Sequence, residues 1–430
     1  MTKTLDSVVH VRRRFQRSIR VDTDIGAAAL EGFVCPQSAG ESLLSMARQI
    51  QETGQGAFTW TGPYGCGKSS LAVAVAALLG EPSLKAQARA ALGPDIAGAL
   101  ERQLDPEARG WTVLPVVGSR ADAAKMVGAS LDQELAIKRT RGRPRKAEAD
   151  VIARLIETAN HPDSAGTLLV IDEMGKFLEE AAYGVADVYF FQQLAEAANR
   201  SHGRLIVVGV LHQAFDDYAH RLGREIRDEW LKIQGRFADV PINVAGEEQV
   251  ELIARAIEAD GGPETNAAQA VAIADAIRAQ RSATAADLGE RLHQCWPLHP
   301  VVASLLGPLS RRRFGQNQRS VFGFLNSAEP FGFQEYLKTE PVLDAMAYGS
   351  THLWDYLRAN MEPSILASPD GHRWSLAIDA VERSEARGAE PDHVAIVKAI
   401  ALIDMFKERS GLIASGAVLT QALPWIEADR

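Results

Sequence analysis

The sequence predicts an α/β fold: a three-layer, mainly parallel sheet core followed by an all-helical lid and a C-terminal helical domain. Three observations predict it. Short apolar runs alternate with helical stretches up to about residue 245, the pattern of strands joined by crossover helices. The first of these runs, Ala57-Phe58-Thr59-Trp60-Thr61, ends in a glycine-rich turn and leads into an alanine-rich helix. From Glu247 onward only helical periodicity is read.

Taken in order, residues 1–56 form a lead-in subdomain of short extended pieces and a helix over 41–51, which the breaker Gly54-Gln55-Gly56 stops. Residues 57–245 are the core, with strands at 57–61, 111–117, 167–171, 204–211 and 238–244, a buried helix over 69–79, and a basic insertion at about 120–160. Residues 246–338 are the lid, helical at 247–258, 266–279, 285–295, 301–309 and 320–326. In 339–430, Val394, Ile396, Val397, Ile400, Leu402, Ile403 and Phe406 make an amphipathic helix over 393–406. Ser415 then reads as the N-cap of a helix over 416–423. Two helices joined by Ser-Gly fit the opening of a helix-turn-helix or winged-helix unit. No sequence follows for a third helix and wing, so an incomplete unit and a fragment of a longer protein are expected.

Composition narrows the classes. With 46% apolar and 23% charged residues in 430, the chain can bury enough surface to offset its ordering entropy, which excludes disorder as the main state. Cys35, Cys66 and Cys295 are isolated and odd in number, which fits neither a disulfide framework nor a zinc ribbon. The longest apolar stretches, 72–79 and 205–211, fall far short of the ~20 residues of a membrane span. The N-terminus has no apolar signal core. A cytoplasmic, reducing compartment without membrane contact is expected. The net charge of −9, from 55 acidic and 46 basic residues, argues against a uniformly basic nucleic-acid binder and leaves local fields open.

Gly62-Pro63-Tyr64-Gly65-Cys66-Gly67-Lys68-Ser69 is Gly, four residues, Gly-Lys-Ser, placed between a strand and a helix. Glycines at Gly62, Gly65 and Gly67 let backbone N–H groups turn toward phosphates, and the helix N-terminus at Ser69 and Ser70 adds partial positive charge. Lys68 reaches the β and γ phosphates and Ser69 ligates Mg²⁺. Cys66 reads as a spacer whose backbone matters, with a catalytic thiol as the lesser alternative. Leu168-Leu169-Val170-Ile171-Asp172-Glu173 is a buried strand ending in two carboxylates. Asp172 is placed to hold the Mg²⁺ shell and Glu173 to orient and polarise a water. The bland alternative is a cap on the following turn. The two motifs together point to ATP and Mg²⁺ as cofactors, and Glu173 counts against a small-molecule phosphotransferase, which has to exclude an activated water.

These residues resemble the AAA+ superfamily of P-loop ATPases, in an arrangement most like the origin-recognition initiators and the signalling ATPases called STAND. The resemblance covers roughly residues 30–330. It implies a polar sensor at the end of the strand after Asp172-Glu173, where this chain has His212-Gln213 in place of the more usual Asn, Thr or Ser. It implies an arginine finger acting in trans, for which Arg236 in Gly235-Arg236-Phe237-Ala238-Asp239 is the candidate and Arg227 the reserve; pairing with a nearby carboxylate is the alternative. A lid arginine that reports on the γ-phosphate is implied too, among Arg311, Arg312, Arg313 and Arg319. A homo-oligomer in the ATP state follows from the same resemblance.

Positive charge is clustered in three islands, at 12–20, 138–146 and 311–319. Six of the nine residues from Lys138 to Lys146 are basic, and Arg141-Gly142-Arg143-Pro144-Arg145-Lys146 contains the Arg-Gly-Arg-Pro core of an AT-hook. Such a segment follows the narrow minor groove of duplex DNA; a solvated basic loop is the alternative. The 12–20 island has no such shape signature and reads as a solvated face or partner contact. Two functions are carried forward. One is an Mg²⁺-dependent ATPase switch, oligomeric and DNA-linked, with a genome-maintenance or defence role. The other is a slow-turnover, nucleotide-gated scaffold that signals by assembling with a partner protein.

Overall fold

The computed structural model describes residues 3–15, 19–63, 65–135, 148–182, 189–212, 230–244, 246–259, 263–312, 321–343 and 346–426. Among them are seven strands: β1 (Val9–Val11), β2 (Ala57–Thr61), β3 (Trp111–Val117), β4 (Gly166–Asp172), β5 (Leu205–Leu211), β6 (Ala238–Pro241) and β7 (Ile257–Ala259). The chain divides into two compact units, one of residues 18–244 and one of 1–17 with 245–430.

In the first unit five parallel strands lie in the order β3-β4-β5-β2-β6. Every residue of β2, β4 and β5 is buried, as a parallel sheet covered on both faces demands. That double burial is why these strands read as unbroken apolar runs. β5 separates β2 from β4, with Thr61 opposite Leu211 and Ile171 opposite Gly209. The C-terminal ends of these three strands therefore come level, and each leads into a turn at the same edge of the sheet.

The helix Lys68–Gly80 is buried along nearly its whole length, and Gln37–Thr53 ends at Gly54 in the left-handed region, φ 73°. The expected basic insertion is smaller than 120–160. Helices Ala123–Glu134 and Glu148–Ala159 place Ala123, Val127, Leu131, Val151, Leu155 and Ala159 in the sheet's own core. Only 136–147, with the Arg141, Arg143, Arg145 and Lys146 of the suggested DNA contact, lies outside the described residues.

The second unit corrects the expectation that strands cease at Glu247. Helix Gly246–Ala256 gives way to β7, which pairs antiparallel with β1, Val9 opposite Ala259 and Val11 opposite Ile257. Residues 1–17 thus belong with the helices of 245–430 rather than with a lead-in subdomain. Helix Pro300–Ser310 is apolar all round and is buried from Pro300 to Leu309, which makes it this unit's central element. Stacked Trp354 and Trp374, ring centroids 4.7 Å apart, fill the core beside helix Pro391–Ser410. Ser415 caps helix Gly416–Ala422, its hydroxyl accepting from the Val418 N–H at 3.4 Å. Among the described residues of 346–426 no strand follows that would make a wing. No described helix is long and apolar enough to cross a membrane.

His299 joins two of these helices. Its Nδ1 accepts from the Val301 N–H at 3.2 Å as the N-cap of Pro300–Ser310, which leaves the proton on Nε2 to be donated to the Gln421 carbonyl at 2.9 Å. Burial lowers its pKa to about 4. The unfolded chain therefore binds a proton that the native one refuses between about pH 4 and 6.5, and stability rises with pH across that window. His299→Asn keeps a cap acceptor and cannot titrate. Its urea denaturation should show a flatter pH dependence over pH 4–6.5, by up to about 1.4 kcal/mol per pH unit, with no change of slope above pH 7.

Candidate functional site

The turn after β2 is built for close backbone approach. Gly65 and Gly67 have φ of 76° and 85°, conformations that side chains with a Cβ rarely adopt. A Cβ on Gly62 would lie 2.3 Å from the Ile242 carbonyl oxygen. Gly67 is the N-cap of helix Lys68–Gly80, whose first N–H groups point along the helix axis toward the turn. Lys68 is only 4% exposed, and its ammonium donates to the carbonyl oxygens of Gly62 at 2.7 Å and Pro63 at 2.9 Å. Burial lowers its pKa. The Cys66 sulfur is buried 3.5 Å from Lys68 Nζ. Ser69 and Ser70 follow, half-buried. Tyr64 lies outside the described residues.

Two strands away, Asp172 ends β4 and is 4% exposed. Burial raises its pKa, opposed by a hydrogen bond from the Ser69 hydroxyl, one from the Glu173 N–H at 3.0 Å, and the charge of Lys68. The sheet order thus brings Ser69 and Asp172, far apart in sequence, close enough for the hydroxyl to favour the charged carboxylate. Both present hard oxygen atoms, and a buried carboxylate beside a hydroxyl favours a divalent cation, so the pair fits Mg²⁺. Among the described residues no three His, Cys, Asp or Glu side chains gather to cage a metal.

Glu173 has a φ of 51°, an uncommon conformation for a residue with a Cβ. Gly118 sits so close that a Cβ there would be 2.1 Å from the Glu173 carbonyl oxygen, and its N–H donates to the Asp172 carbonyl at 2.7 Å. The Glu173 carboxylate is ion-paired through Oε2 with Lys176 Nζ. Arg20 acts on the same carboxylate at longer range while held by Asp22 at 2.7 Å.

His212 lies just past the end of β5, opposite the turn that begins after Thr61. Burial and the nearby charges of Lys68 and Lys176 lower its pKa to about 3, so the imidazole is neutral at physiological pH. Gln213 and Arg227 lie outside the described residues.

Arg236 is elsewhere. Its guanidinium bonds Glu196 at 2.9 Å, and its carbonyl accepts from Gln55 Nε2 at 3.2 Å and Asn199 Nδ2 at 3.1 Å. Asn199 Oδ1 in turn accepts from the Gly56 and Ala57 N–H groups. Arg236 therefore stands at the N-terminal edge of the sheet, about 16 Å along β2 from the phosphate-loop turn. It cannot serve its own chain's site, and a role in trans would require it to leave Glu196. In the helical unit, Arg312 bonds Asp370 at 3.1 Å and the Met405 carbonyl at 3.3 Å. That makes it a cross-tie between helices rather than a poised sensor. Arg313 and Arg319 lie outside the described residues.

Gly118, Lys176 and Arg20 escaped the sequence reading. The Glu173–Lys176 spacing of three on a helix start was legible as a pair, whereas Gly118 and Arg20 come to Glu173 only through the sheet and an N-terminal loop. The left-handed backbone at Glu173 gives a test that is independent of chemistry. Glu173→Gly should be more stable than Glu173→Ala by about 1 kcal/mol in urea denaturation, since only glycine relaxes at that φ without cost. Equal stabilities would mean that the backbone there is unstrained.

No family model matches the chain, and no curated protein does. Among solved structures the chain is similar to the crystal structure of Cdc6p from Pyrobaculum aerophilum, at 12% identity and a TM-score of 0.40, over 92% of this chain and 85% of that one.

Proposed function

We propose that the chain is an Mg²⁺-dependent ATPase of AAA+ type, a molecular switch that oligomerises with ATP bound and acts at duplex DNA. One juxtaposition carries the reading: Lys68, Ser69, Asp172 and Glu173 gather at the C-terminal edge of a parallel sheet, where Ser69 and Lys68 both favour the charged form of the buried Asp172 carboxylate. In it, Lys68 and the amides around Gly65 to Ser69 hold the phosphates. Ser69 and Asp172 hold Mg²⁺, which when bound neutralises phosphate charge. Glu173 orients the attacking water, and neutral His212 senses the terminal phosphate. Arg236 completes the site of a neighbouring copy after releasing Glu196. The basic segment with Arg141, Arg143, Arg145 and Lys146 supplies the DNA contact, in a genome-maintenance or defence role.

A second reading, the slow-turnover scaffold that signals to a partner protein, is favoured by a specific observation. Lys68 is already engaged by the loop carbonyls of Gly62 and Pro63, so it has to exchange partners before it can hold a phosphate.

Steady-state ATP hydrolysis, with and without duplex DNA, tests both. Lys68→Ala should lose nucleotide binding. Glu173→Gln should bind ATP and hydrolyse it about 10²–10⁴-fold more slowly; turnover equal to wild type would remove the assignment of Glu173. Neutralising Lys138 to Lys146 should weaken DNA binding and flatten its salt dependence; unchanged affinity and slope would remove the DNA contact. Tight ATP binding with barely measurable wild-type turnover would decide for the scaffold. A strict monomer in sedimentation with a non-hydrolysable ATP analogue would leave Arg236 without a site to complete.

A further inference from the structure

We infer that Lys176 is the positioning residue for Glu173, fixing the carboxylate that faces the attacking water. The inference rests on the ATPase reading and deepens it.

Lys176 follows Glu173 by three residues on the first turn of helix Met174–Ala182. The two are joined twice. The Lys176 N–H donates to the Glu173 carbonyl oxygen at 3.0 Å, and Lys176 Nζ is paired with Glu173 Oε2. The first bond anchors the lysine to the backbone of the very residue it orients, while Gly118, after β3, lies so close to that same carbonyl that only a residue without a Cβ fits there. With the peptide clamped at φ 51°, the remaining freedom of Glu173 is that of its side chain. Lys176 removes it, leaving Oε1 to meet a water.

The charges of both Lys176, on the helix after β4, and Lys68, in the loop after β2, disfavour protonation of His212. Arg20 is the competing cation and is the weaker candidate. Its guanidinium is held by Asp22 through Nε at 3.1 Å and Nη2 at 2.7 Å, and it reaches Glu173 only through its field. The Lys176 side chain is 51% exposed, so its replacement leaves no cavity in the core.

Single-turnover hydrolysis of prebound ATP in the full chain tests this even if steady-state turnover is slow. Lys176→Met should lower the hydrolysis rate about tenfold, while ATP affinity stays within about twofold, because a misaimed base costs rate without costing binding. Lys176→Arg should recover most of the loss, since it restores a cation at the same spacing. In a Glu173→Gln background, Lys176→Met should change the rate less than about twofold, the signature of two residues acting as one unit. A wild-type rate in Lys176→Met, alongside a disabled Glu173→Gln, overturns the inference and leaves the ATPase reading standing. The same tenfold loss in the Glu173→Gln background overturns it as well, because Lys176 would then act on the phosphates directly. A wild-type rate in Glu173→Gln removes the ATPase base itself, and the inference with it.

Discussion

A buried ammonium group organises the sheet unit. Lys68 is removed from water at the start of a helix, and a buried cation is tolerable only if its donors are met. The carbonyl oxygens of Gly62 and Pro63 meet them. For those oxygens to turn inward, the chain must double back within a few residues, which Gly65 and Gly67 permit by adopting positive φ. The turn has room to do so only because Gly62 lies flat on the backbone after β6, against the Ile242 carbonyl oxygen. Loop, helix and the β2–β6 pair are one solution to a single charge.

The second half of the site is held by different physics. Asp172 and Glu173 depend on the sheet order, which sets β5 between the loop strand and the carboxylate strand and so puts the Asp172 carboxylate within reach of the Ser69 hydroxyl's influence. Gly209, in the middle of β5, lets Met174 seat against the strand, since a Cβ there would be 2.2 Å from the Met174 sulfur. Adjacent residues 172 to 174 thus go three ways: Asp172 is buried at the sheet's edge, Glu173 pairs with Lys176 and Met174 enters the core. A backbone that turns that sharply in one step needs the left-handed conformation found at Glu173.

The core strands and the loop were legible because their signals are local: an unbroken apolar run, a glycine spacing, a terminal Asp-Glu. Reading failed where partners are distant. Val9-His10-Val11 reads as one of the short extended pieces near the start, but its partner β7 is hidden as the frayed end of a helix pattern far along the chain. Helices Ala123–Glu134 and Glu148–Ala159 were absorbed into an insertion because the basic run between them dominated the composition. Arg236 matched a motif by its neighbours in sequence, while its ion pair with Glu196 depends on packing that spacing does not encode. His212 was found by its position at a strand end, and its neutrality only by its burial.

The β1–β7 ribbon has a consequence for how the chain is made. Val11 pairs with Ile257, with the whole sheet unit between them in sequence, so β1 leaves the ribosome well before its partner. Closing so long a loop costs about 5 kcal/mol of chain entropy if the intervening residues are unstructured. Folding of the sheet unit during synthesis shortens the free chain between the two strands and lightens that cost. Co-translational order is thereby written into the topology: the sheet first, then the helices, with the N-terminal strand held in waiting until both are in place.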